Sequence, residues 1–160
     1  MKRIFSAILC IMVPLAVFAA DKPPSYKVTY DGGSLPNVKA GSPLRLYIDS
    51  SNIRFVKDKK DKAEVANIPA ATITEISYGQ DVRRRVEEAV ALGIFTWGIG
   101  GLLALSKSKK HYVGLTWVNG DQKGGLAMQC DKSDYRGVLA GLEGVTGKKA
   151  VDSKPMTVKN

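Results

Sequence analysis

The stretch HYVGLTWVNGDQKGGLAMQC, residues 111–130, reads as two β-strands folded against each other. Asn119-Gly120-Asp121 lies between the runs 111–118 and 124–130, and Asn-Gly is the strongest short hairpin signal because both residues tolerate positive φ. In the second run Leu126, Met128 and Cys130 alternate with Ala127 and Gln129, the period of a strand with one buried face. The period then changes. Tyr135, Val138, Leu139, Leu142 and Val145 recur at helical spacing, with Asp131 or Ser133 placed to cap the start and Gly147 placed to stop it. Gly137 and Gly141, one helical turn apart, predict close packing of this helix on a sheet.

Upstream of the hairpin the strand pattern continues. Tyr26, Val28 and Tyr30 alternate with Lys27 and Thr29 until Asp31-Gly32-Gly33 breaks the run. Leu44, Leu46 and Ile48 lead through the turn Asp49-Ser50-Ser51-Asn52 into Ile53-Arg54-Phe55-Val56, a second hairpin by its chemistry. The mixed charges of Lys57 to Lys62 predict a solvated hairpin tip. Strands around 64–68 and 72–78 follow, separated by Pro69, which cannot continue a ladder. The count is seven strands and one C-terminal helix, a mainly β chain.

That layout resembles the pleckstrin-homology superfold, in which two antiparallel sheets pack nearly orthogonally and a C-terminal helix caps one open end. Ile68-Pro69-Ala70-Ala71-Thr72-Ile73-Thr74-Glu75-Ile76 is similar to a stretch of bacterial PH-like and GRAM-like domains. So is the junction Cys130-Asp131-Lys132-Ser133-Asp134-Tyr135 leading to Leu139 and Leu142. The resemblance implies a seven-stranded PH-like sandwich over residues 25–147, a binding or scaffolding module rather than an enzyme.

The ends carry other signals. Lys2 and Arg3 precede the apolar run Ile4 to Val17, and Val17-Phe18-Ala19 offers small residues where a signal peptidase reads, so residues 1–19 are expected to be a signal peptide, with an uncleaved anchor as the alternative. The expected location is therefore exported, periplasmic or extracellular, and membrane-associated. Residues 148–160 are polar and contain Pro155, which predicts a disordered tail. Of 24 basic side chains, Lys2 and Arg3 leave with the signal, so the balance against 15 acidic ones stays positive. A positive balance favours anionic partners such as lipid headgroups, while export disfavours nucleic acid. Cys130 is then the lone cysteine of the mature chain, expected as a small buried hydrophobe.

The segment least like the rest is an insertion at 83–110, between the fifth and sixth strands. Arg83-Arg84-Arg85-Val86-Glu87-Glu88 precedes seventeen uncharged residues, Ala89 to Leu105, and Ser106-Lys107-Ser108-Lys109-Lys110 follows. As one helix the uncharged run would reach about 25 Å at 1.5 Å per residue, the lower limit for a hydrocarbon core of about 30 Å. A leaflet-dipping helix would use Phe95 and Trp97 as interfacial anchors. Ile94, Ile99, Leu102 and Leu103 would lie in the apolar layer, with Arg83, Arg84, Arg85, Lys107, Lys109 and Lys110 on headgroups. Alternatively, Gly93, Gly98, Gly100 and Gly101 would let two copies associate closely, or the segment would fold back as core. The arginines also have a use without lipid, in helix-spaced pairs such as Arg83 with Glu87 or Arg84 with Glu88.

Catalytic patterns are missing. His111 is the single histidine, which excludes His-based metal clusters, and no nucleophile-elbow, phosphate-loop or dinucleotide fingerprint is present. The sequence thus leads to a non-catalytic membrane-surface docking module without metal or cofactor, its partner a membrane lipid surface or membrane protein. The alternatives are a self-assembling homo-oligomeric envelope protein and a bitopic protein spanning at 89–105.

Overall fold

The computed structural model describes residues 24–58, 62–90 and 111–153. In chain order the strands are β1 (Ser25–Gly33), β2 (Pro43–Ile48), β3 (Asn52–Lys57), β4 (Glu64–Pro69), β5 (Ile73–Tyr78), β6 (His111–Asn119), β7 (Gln122–Cys130) and β8 (Val151–Asp152). Helix α1 (Val82–Ala89) follows β5, and α2 (Tyr135–Thr146) follows β7. The strands form one open sheet in the order β4-β3-β2-β1-β7-β6-β5-β8, antiparallel throughout except for the β5–β8 pair.

The β2–β3 and β6–β7 hairpins form where the turn chemistry placed them, and residues 59–61 of the expected third tip lie outside the described residues. Asp49 N–H donates to the Asn52 carbonyl at 2.9 Å to close β2 on β3, and Gly120 takes φ +61° between β6 and β7. The strand expectations need correction at two places. Asp31-Gly32-Gly33 does not end the first strand: β1 runs to Gly33, with an extra residue accommodated as a bulge between Tyr30 and Gly32. Gly33 sits at φ +134°, and a Cβ there would stand 2.2 Å from the Gly125 carbonyl oxygen, so only glycine lets β1 continue beside β7. The strand count is eight rather than seven, because residues 148–153 are ordered against the fold instead of forming a disordered tail. Ala150 N–H donates to Glu143 Oε1 at 2.7 Å, and Ser153 reaches the Tyr78 carbonyl through N–H (2.7 Å) and Oγ (2.8 Å). Residues 154–160 lie outside the described residues, as do 1–23.

The inward faces build one core: Val28, Tyr30, Leu44, Leu46, Ile53, Phe55, Ile73, Ile76, Val113, Leu115, Leu126 and Met128 are buried together with Val138 and Leu142 of α2. Helix α2 touches β2, β5, β6 and the turn Ala70–Thr72. In a flat sheet β2 and β5 would stand about 19 Å apart at 4.8 Å per strand, so the sheet must curl around the helix. Close approach is supplied by Gly137 against Tyr26 and Gly141 against Ile48, where added Cβ atoms would fall at 3.2 and 2.9 Å. Helix α2 ends in the left-handed Gly147, φ +69°. Its start differs from expectation: the capping position is Asp134, without a side-chain cap, and the Asp131 carbonyl accepts the N–H groups of Asp134 and Tyr135 instead.

Candidate functional site

Helix α1 opens the insertion, and it lies on the opposite face of the sheet from α2. Val82, Val86 and Val90 repeat every fourth residue and are buried, while Arg84, Glu87 and Glu88 face solvent. Beneath the valines the sheet presents almost no side chain. Added Cβ atoms would stand 2.6 and 2.9 Å from Val82 and Val86 at Gly114, and 2.8 and 2.9 Å from Val86 and Val90 at Gly125. Ala127 completes the patch. Small residues at these outward positions of β6 and β7 let the helix backbone come down onto the sheet.

Charge then fixes what the valines leave loose. Asp31, the extra residue of the β1 bulge, is 6% exposed. Arg83 donates from Nε and Nη2 to its two carboxylate oxygens, and Gln129 Nε2 adds a bond to Oδ1 at 3.1 Å. A bulge re-aims side chains at a strand's edge, and here it brings a carboxylate under the helix. Two residues on, Arg85 makes a second fork on Glu75 of β5, at 2.7 and 3.4 Å. The hydrogen bonds to Asp31 and Glu75 hold the Arg83 and Arg85 guanidinium groups above their usual range. Burial, with the Asp31 charge adding to it, pushes the Tyr112 phenol up, and Arg83 works against this.

The arginines assigned from sequence to headgroups thus have individual fates. Arg83 and Arg85 grip sheet carboxylates; Arg84 is exposed and makes the expected i,i+4 pair with Glu88 at 3.5 Å. Arg83 forms its ion pair with Asp31, and the helix-spaced Glu87 adds a weaker charge attraction. Ile94, Phe95, Trp97, Ile99, Leu102, Leu103, Lys107, Lys109 and Lys110 lie outside the described residues, as do Gly93, Gly98, Gly100 and Gly101. What is described is how the segment is held at both ends. Val90 is buried over Gly125 where the chain leaves. His111, where it returns, stacks on Tyr135 with ring centroids 4.4 Å apart and planes 22° from parallel. Gly125 lies opposite Thr116 and Cys130 opposite His111, so the attachments are about 17 Å apart along β6 at 3.3 Å per residue.

Sequence reasoning missed Asp31, Glu75, Gln129 and the glycine patch. Asp31 looked like a turn residue because it precedes two glycines, and nothing local links it to Arg83. Elsewhere, a groove over β1 is lined by Lys27, Thr29, Asp58, Gln129, Asp131 and Lys132, with cations and anions interleaved rather than converging. Cys130 also lines it, but burial pushes its thiol up to about 12. Among the described residues no group of three His, Cys, Asp or Glu could hold a metal ion, and no helix is long and apolar enough to cross a membrane.

No protein-family model and no curated protein matches the chain.

Proposed function

We propose that the protein is an exported, non-catalytic docking module of PH-like architecture that engages a membrane surface through residues 89–105 and their basic flanks. The observation that carries this reading is the β5–β6 ladder, which runs from Ile73 opposite Trp117 to Tyr78 opposite Val113. The insertion therefore interrupts the chain, not the sheet, and the core among the described residues is filled by the strands and α2. The antiparallel run β4-β3-β2-β1-β7-β6-β5 with a C-terminal helix packed against it supports the PH-like reading, to which β8 is an addition.

The described surface offers such a segment little to fold back on. Val118 and Val151 are its exposed large hydrophobics, and the outward positions of β1 to β3 carry Lys27, Thr29, Arg45, Tyr47, Arg54 and Val56, mostly polar. An apolar run without an apolar counterpart on its own domain favours an external one. A single crossing at 89–105 would put β5 and β6 on opposite sides of the bilayer, which their ladder opposes, so leaflet insertion is preferred to spanning. Arg84 and the lysines at 107, 109 and 110 supply the attraction to anionic headgroups in this reading, while Arg83 and Arg85 hold the helix.

Fractionation of cells making the full chain tests the proposal. Resistance to high-salt and alkaline washes with release by detergent is the expected result. Recovery in the soluble fraction would reject it and direct attention to self-association through Gly98 and Gly101.

A further inference from the structure

We propose that the Asp31–Arg83 pair is a positioning latch, which selects one placement of α1 on the sheet and so fixes where residues 91–110 leave the domain; the inference rests on the docking reading above. Helix α1 has eight residues, too few to be stable by itself in water. Its apolar contact is three valines on a patch of Gly114, Gly125 and Ala127, with Tyr112 packed alongside. Apart from the Tyr112 ring such a surface offers the valines little relief, and ridges entering grooves are what normally fix the placement of a packed helix. Valines on glycines would tolerate a slide or rotation of the helix.

A guanidinium on a carboxylate would not, because its fork has a fixed geometry. The sheet provides two such forks, Asp31–Arg83 from β1 and Glu75–Arg85 from β5. The first is the demanding one. Asp31 is buried, and a buried carboxylate is costly without its cation, so any placement of α1 that withdraws Arg83 is penalised. An apolar residue at 31 would cover the sheet without this penalty and would accept many placements. Arg83 is thus a positioning residue; it acts on the segment through α1.

The test combines amide hydrogen exchange with sedimentation on vesicles of equal parts phosphatidylglycerol and phosphatidylcholine, using the full mature chain. Arg83→Met removes the fork, and Arg83→Lys keeps the charge while losing the two-pronged geometry, a milder change should the first variant not fold. Exchange across residues 82–90 should quicken about tenfold or more in either variant while β2, β3 and α2 stay protected, the mark of local rather than global opening. Vesicle affinity should fall about tenfold.

A disulfide staple then separates position from mere stability. Gly125 Cβ would lie 2.8 Å from Val86 Cγ1, close to the spacing a disulfide needs, so Val86→Cys with Gly125→Cys, and Val90→Ala for clearance, ties α1 to β7. In the Arg83→Met background the staple should restore both protection and binding. Unchanged exchange, unchanged binding, or a staple that restores protection without binding would each overturn the latch. A wild-type chain that ignores the vesicles would overturn the docking reading itself and, with it, the positional role; that failure is recognisable because it appears before any substitution.

Discussion

The guanidinium of Arg83 in α1 closes on the carboxylate of Asp31 in β1, joining residues 52 positions apart across the outer face of the sheet. Its consequence for stability follows from burial. Removing one partner of a buried pair strands the other, and Arg83→Met is expected to cost about 3 kcal/mol, the low end for a broken buried pair because Gln129 still bonds Asp31. The midpoint of urea unfolding measures this. Replacing both partners, Asp31→Leu with Arg83→Met, should recover most of the loss.

The glycine patch makes an independent prediction. Gly114→Val places atoms where Val82, Val86 and the Ser77 hydroxyl already stand, with the first Cβ contact at 2.6 Å. A destabilisation of about 1–3 kcal/mol is expected, as for other overpacked sites. Gly144→Ala is the contrasting change. Gly144 lies in α2 with nothing within 4 Å of an added Cβ, and exchanging glycine for alanine in a helix should stabilise by about 0.5–1 kcal/mol.

Stability should also decline in alkali. Burial raises Cys130 from 9.0 to about 12 and Tyr30 from 10.0 to about 12. The folded state then holds these protons more tightly than the unfolded chain does. Their stabilisation is fully present below about pH 9 and is lost as pH rises toward 12. Cys130→Ala should give a shallower decline over that window in denaturation midpoints. A thiol reagent at pH 8 should label Cys130 only after unfolding.

β8 covers the last two residues of the β5 edge. Truncation after Gly147 removes Val151, Asp152 and the Ser153 bonds to the Tyr78 carbonyl, uncovering Ser77 and Tyr78 on the outer side of β5. Unpaired strand edges template association, so the truncated chain should form concentration-dependent oligomers by analytical ultracentrifugation while the full chain does not.

The fold was largely legible because its signals are local. Asn119-Gly120 specified a turn whatever surrounded it, and the change of period from Met128 and Cys130 to Val138 and Leu142 marked strand giving way to helix. The missed features all depend on distant chain. Asp31 carries no local mark of being the partner of Arg83, and Gly114 and Gly125 look like weak strand residues until a helix is laid over them. Val151 and Asp152 read as tail because two residues show no period; β5 gives them a strand to pair with. The candidate site was half legible. Its insertion stood out by composition, whereas the use of Arg83 and Arg85 as grips on the sheet required knowing which strands lie beneath them.

Trp97 offers the most direct measurement of membrane docking. The other tryptophan, Trp117, packs against Gly124 in the folded sheet, so Trp117→Phe leaves Trp97 as the reporter in the insertion. Docking predicts a blue shift of its emission with anionic phosphatidylglycerol vesicles, a smaller one with phosphatidylcholine alone, and weakening of the anionic response by salt. An emission maximum that ignores anionic vesicles at low salt would contradict it.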